Sequence, residues 1–378
     1  MEYRNLPNSD CMVSTIGIGS GSLRESGPRE IEKIVSYGME NGINLIDTVM
    51  SDNKAAEPIA LALKGRREEM VMQIHLGAVY PGGTYTRVRP FSKLKEGFEN
   101  ELKKYGTDYA DIGLIHYVDD VSDFEAIMSG GIFDYALRLK EEGTIRHLGF
   151  SSHSPEISRL FIETGEIDVF MFSLNAAYDF EPSGGRLVLS RERAELYREC
   201  EKQGVGITVM KPYCGGQLLN EKTSPLYHRM TIPQCIRYAL DRPAVLSCLP
   251  GIRSMKDLEE ALGYYSASDG DCDYSFIGGL PHRDVHGICI YCGHCQPCPA
   301  GIDIASVNKY LDLAKSGDEL AVDHYMTLNK NAEDCTGCGS CEKNCPFQVE
   351  VRERMKEACE LFSTVKTGNW KAQSTGIF

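Results

Sequence analysis

The stretch REIEKIVSYGMENGINLIDT, residues 29–48, decides the fold. Residues 29–42 read as an amphipathic helix closed by glycine, the residue a helix C-terminus prefers. Residues 44–48 read as a short apolar strand. The same alternation recurs along the chain. Further candidate strands lie at 14–19, 70–75, 111–116, 145–151, 169–174, 205–211 and 244–251, with helical patterns such as SKLKEGFENELKKYG (92–106) between them. Strand and helix repeated about eight times predict a parallel (β/α)8 barrel over residues 1–265. An open doubly wound sheet is the alternative. It wants a glycine-rich turn running straight into a helix, and GIGSGS (17–22) is followed instead by LRESGPRE, a weak dinucleotide fingerprint.

Composition narrows the class. The 378 residues are 42% hydrophobic and 25% charged, ordinary for a globular chain. A net charge of −14 and a pI near 5.2 argue against a nucleic-acid partner, which needs a basic footprint. The apolar runs fall short of the ~20 residues that a membrane span needs. Residues 1–16 hold no long apolar stretch of the secretory kind, so a reducing, cytoplasmic setting is expected.

Fifteen cysteines are present. Seven are scattered and read as core or surface thiols: Cys11, Cys200, Cys214, Cys235, Cys248, Cys272 and Cys359. The rest form two combs, CIYCGHCQPCP (289–299) and CTGCGSCEKNCP (335–346). The C-x2-C-x2-C-x3-C-P run is the bacterial ferredoxin pattern, in which the fourth cysteine ligates the other cluster. The second comb matches it, and the first has x2 before its last cysteine. Two [4Fe-4S] clusters follow, one on Cys289, Cys292, Cys295 and Cys345, the other on Cys335, Cys338, Cys341 and Cys298. Structural zinc favours two separated cysteine pairs and fits less well. His294 is expected as a neighbour rather than a ligand. Segments 304–328 and 350–362 carry helical spacing, which makes residues 287–365 a mostly helical, ferredoxin-like domain. Residues 266–286 read as a connector and 366–378 as a polar tail.

Active sites of such barrels form at the C-terminal ends of the strands. The polar residues placed there are Asp47, His75, His116, Ser151, Ser152, Asn175 and Lys211.

The segments NGINLIDT, LKGRREEMVMQ, YGTDYADIGLIH, IRHLGFSSHSPE and CLPGIRSMKDLEEAL resemble, in this order, those of the aldo-keto reductases. With the two combs appended, the chain resembles the iron–sulfur branch of that superfamily. The resemblance implies a catalytic tetrad of Asp, Tyr, Lys and His. Asp47 and His116 match two members. Asp52 stands where the Tyr is expected and His75 where the Lys is. Asp47, Asp52, His75 and His116 are therefore expected to form a different acid–base set; a divalent metal site or a decayed binding pocket are the alternatives. On the cofactor side, the resemblance implies Gly19 and Ser20 near the nucleotide, and Ser151 and Asn175 at a nicotinamide carboxamide. Met210 falls at a ring-stacking position, with Lys211 beside it. Gly251, Arg253 and Lys256 are expected at a nucleotide phosphate.

Clusters pass single electrons, nicotinamide moves a hydride, and a flavin exchanges with both. The expected protein is thus an oxidoreductase acting on a small organic substrate in the barrel mouth. Its clusters would relay electrons to or from a bound FMN or NADP(H), with an external ferredoxin or similar carrier as partner. An NAD(P)H-dependent carbonyl reductase with structural clusters, and an electron-transfer or sensing module without a substrate, are the alternatives. The loop 77–92 is expected to cover the mouth, and its Arg87 and Arg89 hint at an anionic ligand.

Overall fold

The computed structural model describes residues 1–378 apart from 24, 50–52, 84, 184–185, 280–288, 290, 292–294, 316–318, 346–347 and 367–378. The expected barrel is present. Its strands are β1 (Ile18–Gly19), β2 (Leu45–Asp47), β3 (Val71–Leu76), β4 (Ala110–Ile115), β5 (Ile145–Ser152), β6 (Val169–Ser173), β7 (Gly206–Met210) and β8 (Val245–Leu249). They pair in sequence order and every pair is parallel. The ring closes just ahead of β1. There the Gly17 N–H donates to the Cys248 carbonyl at 3.0 Å and the Cys248 N–H to that of Thr15 at 2.9 Å.

Between and around the strands run α1 (Pro28–Glu40), α2 (Asn53–Ala62), α3 (Phe91–Lys104), α4 (Val121–Ser129), α5 (Ile132–Glu141), α6 (Pro155–Ile162), α7 (Arg191–Gln203), α8 (Ile232–Leu240) and α9 (Met255–Leu262). Strands covered by helices on one face and by the barrel interior on the other are apolar throughout. That is why β3 and β4 are buried at every position. Gly149 is needed at the β5–β6 contact, because a Cβ there would stand 1.9 Å from the Val169 carbonyl oxygen.

The expected first strand, 14–19, is split. Met12–Ser14 pairs antiparallel with Tyr3–Asn5, leaving only Ile18–Gly19 to the barrel. Leu6 and Val13, in and beside this hairpin, join Leu45, Val71, Ile112 and Leu246 in one apolar cluster. Leu45 and Asp47 share a strand face two residues apart. The cluster therefore fills the barrel below the polar mouth.

The C-terminal region is helical, with α10 (Ile304–Lys315), α11 (Glu319–Met326) and α12 (Val351–Lys366) around a core of its own. Tyr325 and Phe362 stack in that core, 3.6 Å between ring centroids. Of the expected connector, Cys272 and Ile277 are buried in the barrel's core, so its first half packs as part of the barrel. In the other direction, Tyr117 leaves the end of β4 and is buried in the core of the C-terminal region.

Candidate active site

Four buried side chains form a line at the mouth. Asp47, at the end of β2, is 1% exposed; His75 on β3 and His116 after β4 are each 3% exposed. His75 Nε2 lies 2.8 Å from Asp47 Oδ2. His75 Nδ1 lies 2.8 Å from His116 Nδ1. The far side of His116, Nε2, lies 2.5 Å from the hydroxyl of Tyr85. Asp47 is also held by Gln73 Nε2 at 3.1 Å and by the Val49 N–H at 3.2 Å.

With Asp47 as the carboxylate end, one proton arrangement satisfies the whole line. Tyr85 donates to His116, His116 to His75, and His75 to Asp47. Burial pushes His116 well below the ordinary imidazole range, helped by the neighbouring His75 and His324. Burial pushes the Tyr85 hydroxyl up. Both groups are therefore held neutral.

Tyr85 comes from the loop 77–92. There Ala78–Val79 and Thr86–Arg87 pair as a small hairpin. Arg87 and Arg89 anchor this hairpin. Both bond to Asp123, Arg89 at 2.6 Å, and both donate to the Tyr117 carbonyl. Asp52 lies outside the described residues. The three described members of the set are hydrogen-bonded to one another, His75 to both Asp47 and His116.

The C-terminal region roofs this mouth. His324 of α11 stacks on Tyr117 with centroids 4.6 Å apart and packs edge-on to Tyr85 at 5.6 Å. Tyr310 of α10 bonds its hydroxyl to that of Tyr117. His324 is 4% exposed, and neither ring nitrogen has a hydrogen-bond partner among the described residues. A buried polar group in that state carries a desolvation cost unless a ligand or water meets it. Beside it, burial raises Asp119 but the bonded His153 more than offsets this, and the carboxyl falls well below its usual range. His153 Nδ1 lies 2.8 Å from Asp119. Burial pulls His153 down to about 3, and burial with the nearby Lys211 pulls Lys309 of α10 down to about 7. Tyr117 (φ 48°) and Lys211 (φ 58°) both take the left-handed backbone region. Such strain is held only where the surroundings over-determine it, and it clusters at functional sites.

Two cavities meet at this seam. One, of about 230 Å3, is lined by Gly19, Asp47, Met210, Lys211, Gly251 and Arg253 among others. It runs from the Asp47 end of the line to the start of α9. Ser151 and Asn175 do not line it. The Ser151 hydroxyl accepts from the Tyr117 N–H, while Asn175 caps the short helix Ala176–Asp179 and donates to the Lys211 carbonyl. Ser20 is fully buried and donates to the Val49 carbonyl. Lys256 stands outside the cavity, 3.8 Å from Glu260. The second cavity, about 210 Å3, lies between the barrel's His153 and Tyr178 and the C-terminal region's Tyr291 and Lys309. Lys211 Nζ and His153 Nε2, 3.4 Å apart, stand between the two.

Cys298 lines one small cavity with Cys335, Cys338 and Cys341. This brings a first-comb cysteine to three of the second comb, a donor set that suits a [4Fe-4S] cluster. Cys289, Cys295 and Cys345 belong to the same C-terminal core. Cys292 and His294 lie outside the described residues. No described helix is long and apolar enough to cross a membrane.

Sequence reasoning missed Tyr85 as a partner of His116, and missed His324, Tyr310 and Lys309 altogether. The available signal was a His, a Lys and an Asn (308) set within the apolar spacing of α10 and α11.

Residues 15–234 match the model of the aldo/keto reductase family, and residues 286–349 match that of a 4Fe-4S dicluster domain. Among curated proteins, the uncharacterized oxidoreductase YqkF of Bacillus subtilis is 24% identical over 286 residues, 69% of this chain and 90% of its own length. An aldo-keto reductase of Mycolicibacterium smegmatis is 30% identical over 151 residues, 39% of this chain and 48% of its own. The chain thus spans about half the length of that relative. Among solved structures, the holo form of the aldo-keto reductase AKR11C1 of Bacillus halodurans superposes with a TM-score of 0.61 at 22% identity, covering 74% of this chain and 96% of that one. An aldo/keto reductase of Klebsiella pneumoniae in complex with NADP and acetate gives 0.51 at 16% identity, covering 73% and 95%. At these identities the superpositions speak for the fold.

Proposed function

Since this chain belongs to the aldo/keto reductase family and ends in a 4Fe-4S dicluster domain, we propose that it is an oxidoreductase that exchanges protons with a small carbonyl or alcohol through Tyr85. The observation that carries this reading is the Tyr85–His116–His75–Asp47 line, roofed by His324 of the C-terminal region. In reduction, which starts from protonated Asp47 with the His75 proton on Nδ1 and the His116 proton on Nε2, Tyr85 gives its proton to the substrate oxygen as His116 reprotonates it, His75 reprotonates His116 and Asp47 reprotonates His75. Oxidation of an alcohol runs the same path backwards, delivering the proton to Asp47. Tyr85 thus takes the place of the missing tetrad tyrosine, and His75 supplies a hydrogen-bonding link where a lysine would supply charge. The apolar roof excludes water, which strengthens each of these bonds.

The cavity beside Asp47 has the position for a redox nucleotide, FMN or a nicotinamide cofactor, which would carry the electron pair. The clusters would supply or accept single electrons, on Cys289, Cys292, Cys295 and Cys345 and on Cys335, Cys338, Cys341 and Cys298. Tyr291, two residues past Cys289, lines the cavity that adjoins Lys211 and His153. That proximity supports exchange between the two halves, with a soluble ferredoxin or similar carrier at the outer end.

The test is anaerobic purification followed by iron, sulfide and nucleotide analysis, then Cys338→Ser. Two clusters, a releasable redox nucleotide, and loss of turnover with the cluster are expected. Turnover that survives cluster loss would reduce the clusters to a structural role and end the relay.

A further inference from the structure

The outer end of the cavity beside Asp47 has a charge pattern unlike a phosphate site. It is reached between Arg253, before α9, and the loop after β1. Among the described residues, Glu25, Asp257 and Glu260 line it against the one guanidinium of Arg253. That guanidinium is already paired, with its Nε 2.8 Å from Glu25. The backbone donors are occupied as well. The N–H groups of Arg253 and Ser254 both donate to the Asp257 carboxylate, at 2.8 and 3.1 Å. The Met255 N–H donates to Glu30 of α1 at 3.1 Å, and the Asp257 N–H to the Ser254 hydroxyl at 3.2 Å. The first turn of a helix offers an anion its free N–H groups and a partial positive charge. Here two carboxylates from the protein already take them. Lys256, the other expected cation, reaches Glu260 on the exposed face instead.

A dianionic phosphate entering this end would have to displace Asp257 and Glu30 from backbone donors and Glu25 from Arg253, and would then face all three carboxylates. A neutral ribose meets no such barrier, because its hydroxyls are donors and carboxylates accept from them. An acidic residue reading a 2′-hydroxyl, and an arginine reading a 2′-phosphate, are the two general solutions to this recognition problem. From these contacts we propose that the cavity discriminates against an adenosine 2′-phosphate, so that the chain takes NAD(H) and rejects NADP(H). The inference rests on the reading that this cavity holds a redox nucleotide. It departs from the relative whose structure holds NADP.

The experiment titrates the anaerobically purified full chain with NADH, NADPH and FMN, following binding by fluorescence or calorimetry without turnover. NADH is expected to bind at least about tenfold more tightly than NADPH, a difference of about 1.4 kcal/mol. Glu25→Gln and Asp257→Asn, each of which removes a negative charge facing that end, are each expected to narrow that ratio severalfold by strengthening NADPH binding. Equal or tighter binding of NADPH by the native chain overturns the proposal and leaves the oxidoreductase reading intact. A ratio unmoved by both substitutions overturns it as well. Binding of FMN alone overturns it and leaves the flavin form of that reading standing. Binding of none of the three overturns both.

Discussion

The hydroxyl of Tyr85 lies 2.5 Å from Nε2 of His116, although 31 residues separate them in the chain. A loop hairpin thereby supplies a proton-bearing phenol to the barrel's buried imidazoles. Tyr85→Phe removes that proton and leaves His116 Nε2 without a donor. Turnover is expected to fall by about 10²–10⁴, the usual range for losing a positioned acid. Stability is expected to fall by roughly 1–3 kcal/mol, for an unsatisfied buried acceptor. Turnover within about twofold of the native chain would remove Tyr85 from the chemistry.

His324 allows the opposite separation. Neither ring nitrogen is bonded among the described residues, so His324→Phe keeps the stack on Tyr117 and removes a costly buried polar group. The variant is expected to melt at the native temperature or above it while losing turnover. It is also expected to soften the acid sensitivity of the fold. Burial lowers His116, His153 and His324 below their ordinary value. The unfolded chain therefore takes up protons, as pH falls through about 6.5, that the folded chain refuses, and stability falls with it. Melting curves from pH 7.5 to 5 check both points; an unchanged pH slope in the variant would show that His324 is not held neutral.

Lys309 titrates in the other half of the pH range. Its folded value of about 7 lies below the unfolded value of about 10.4. The unfolded chain holds the extra proton between these values, so stability rises with pH across that window. The groups around it are Lys211, Asp119, Cys214 and Arg193. Lys309→Met removes the ionisation. The native chain is expected to gain melting temperature on this variant between about pH 6.5 and pH 9.5, and a constant difference would contradict the shift.

Cys298 shares a cavity with Cys335, Cys338 and Cys341, which crosses the two combs. Cys298→Ser is therefore expected to cost the second comb its cluster and leave the first comb's in place. Iron per chain should drop from about eight to about four. Paramagnetic resonance of the reduced protein identifies which cluster survives. Loss of the signal tied to Cys289 would mean uncrossed ligation.

The barrel was legible because its strands are buried on both faces and many of its helices stop at glycine; β2 to β8 fall within one or two residues of their expected bounds. Of the expected strand 14–19, only Ile18–Gly19 runs beside β2, because Ser14 belongs to the hairpin below the barrel and Thr15 and Gly17 make the closing bonds to Cys248. Asp47, His75 and His116 were visible as polar ends of apolar strands. Tyr85 was not, because its position depends on Arg87 and Arg89 gripping Asp123, a contact that no local pattern carries. His324 and Lys309 were hidden for a different reason. They sit on helices whose periodicity serves the core of the C-terminal region, and only the docking of that region turns them toward the barrel. Arg253 and Lys256 show the converse. Both are cations at a helix start, and each has a carboxylate beside it, Glu25 and Glu260.

Tyr117 also bears on the ancestry of the chain. Its side chain springs from a barrel strand end yet lies 6% exposed in the hydrophobic interior of the appended region. A barrel trimmed of that region would present to water an aromatic ring held on a strained backbone, together with His116 and Tyr85, which now pack under His324. The iron–sulfur half is thus no passenger on a self-sufficient enzyme. The two parts share a buried aromatic contact, Tyr117 and Tyr85 against His324, and parting them would open it to water.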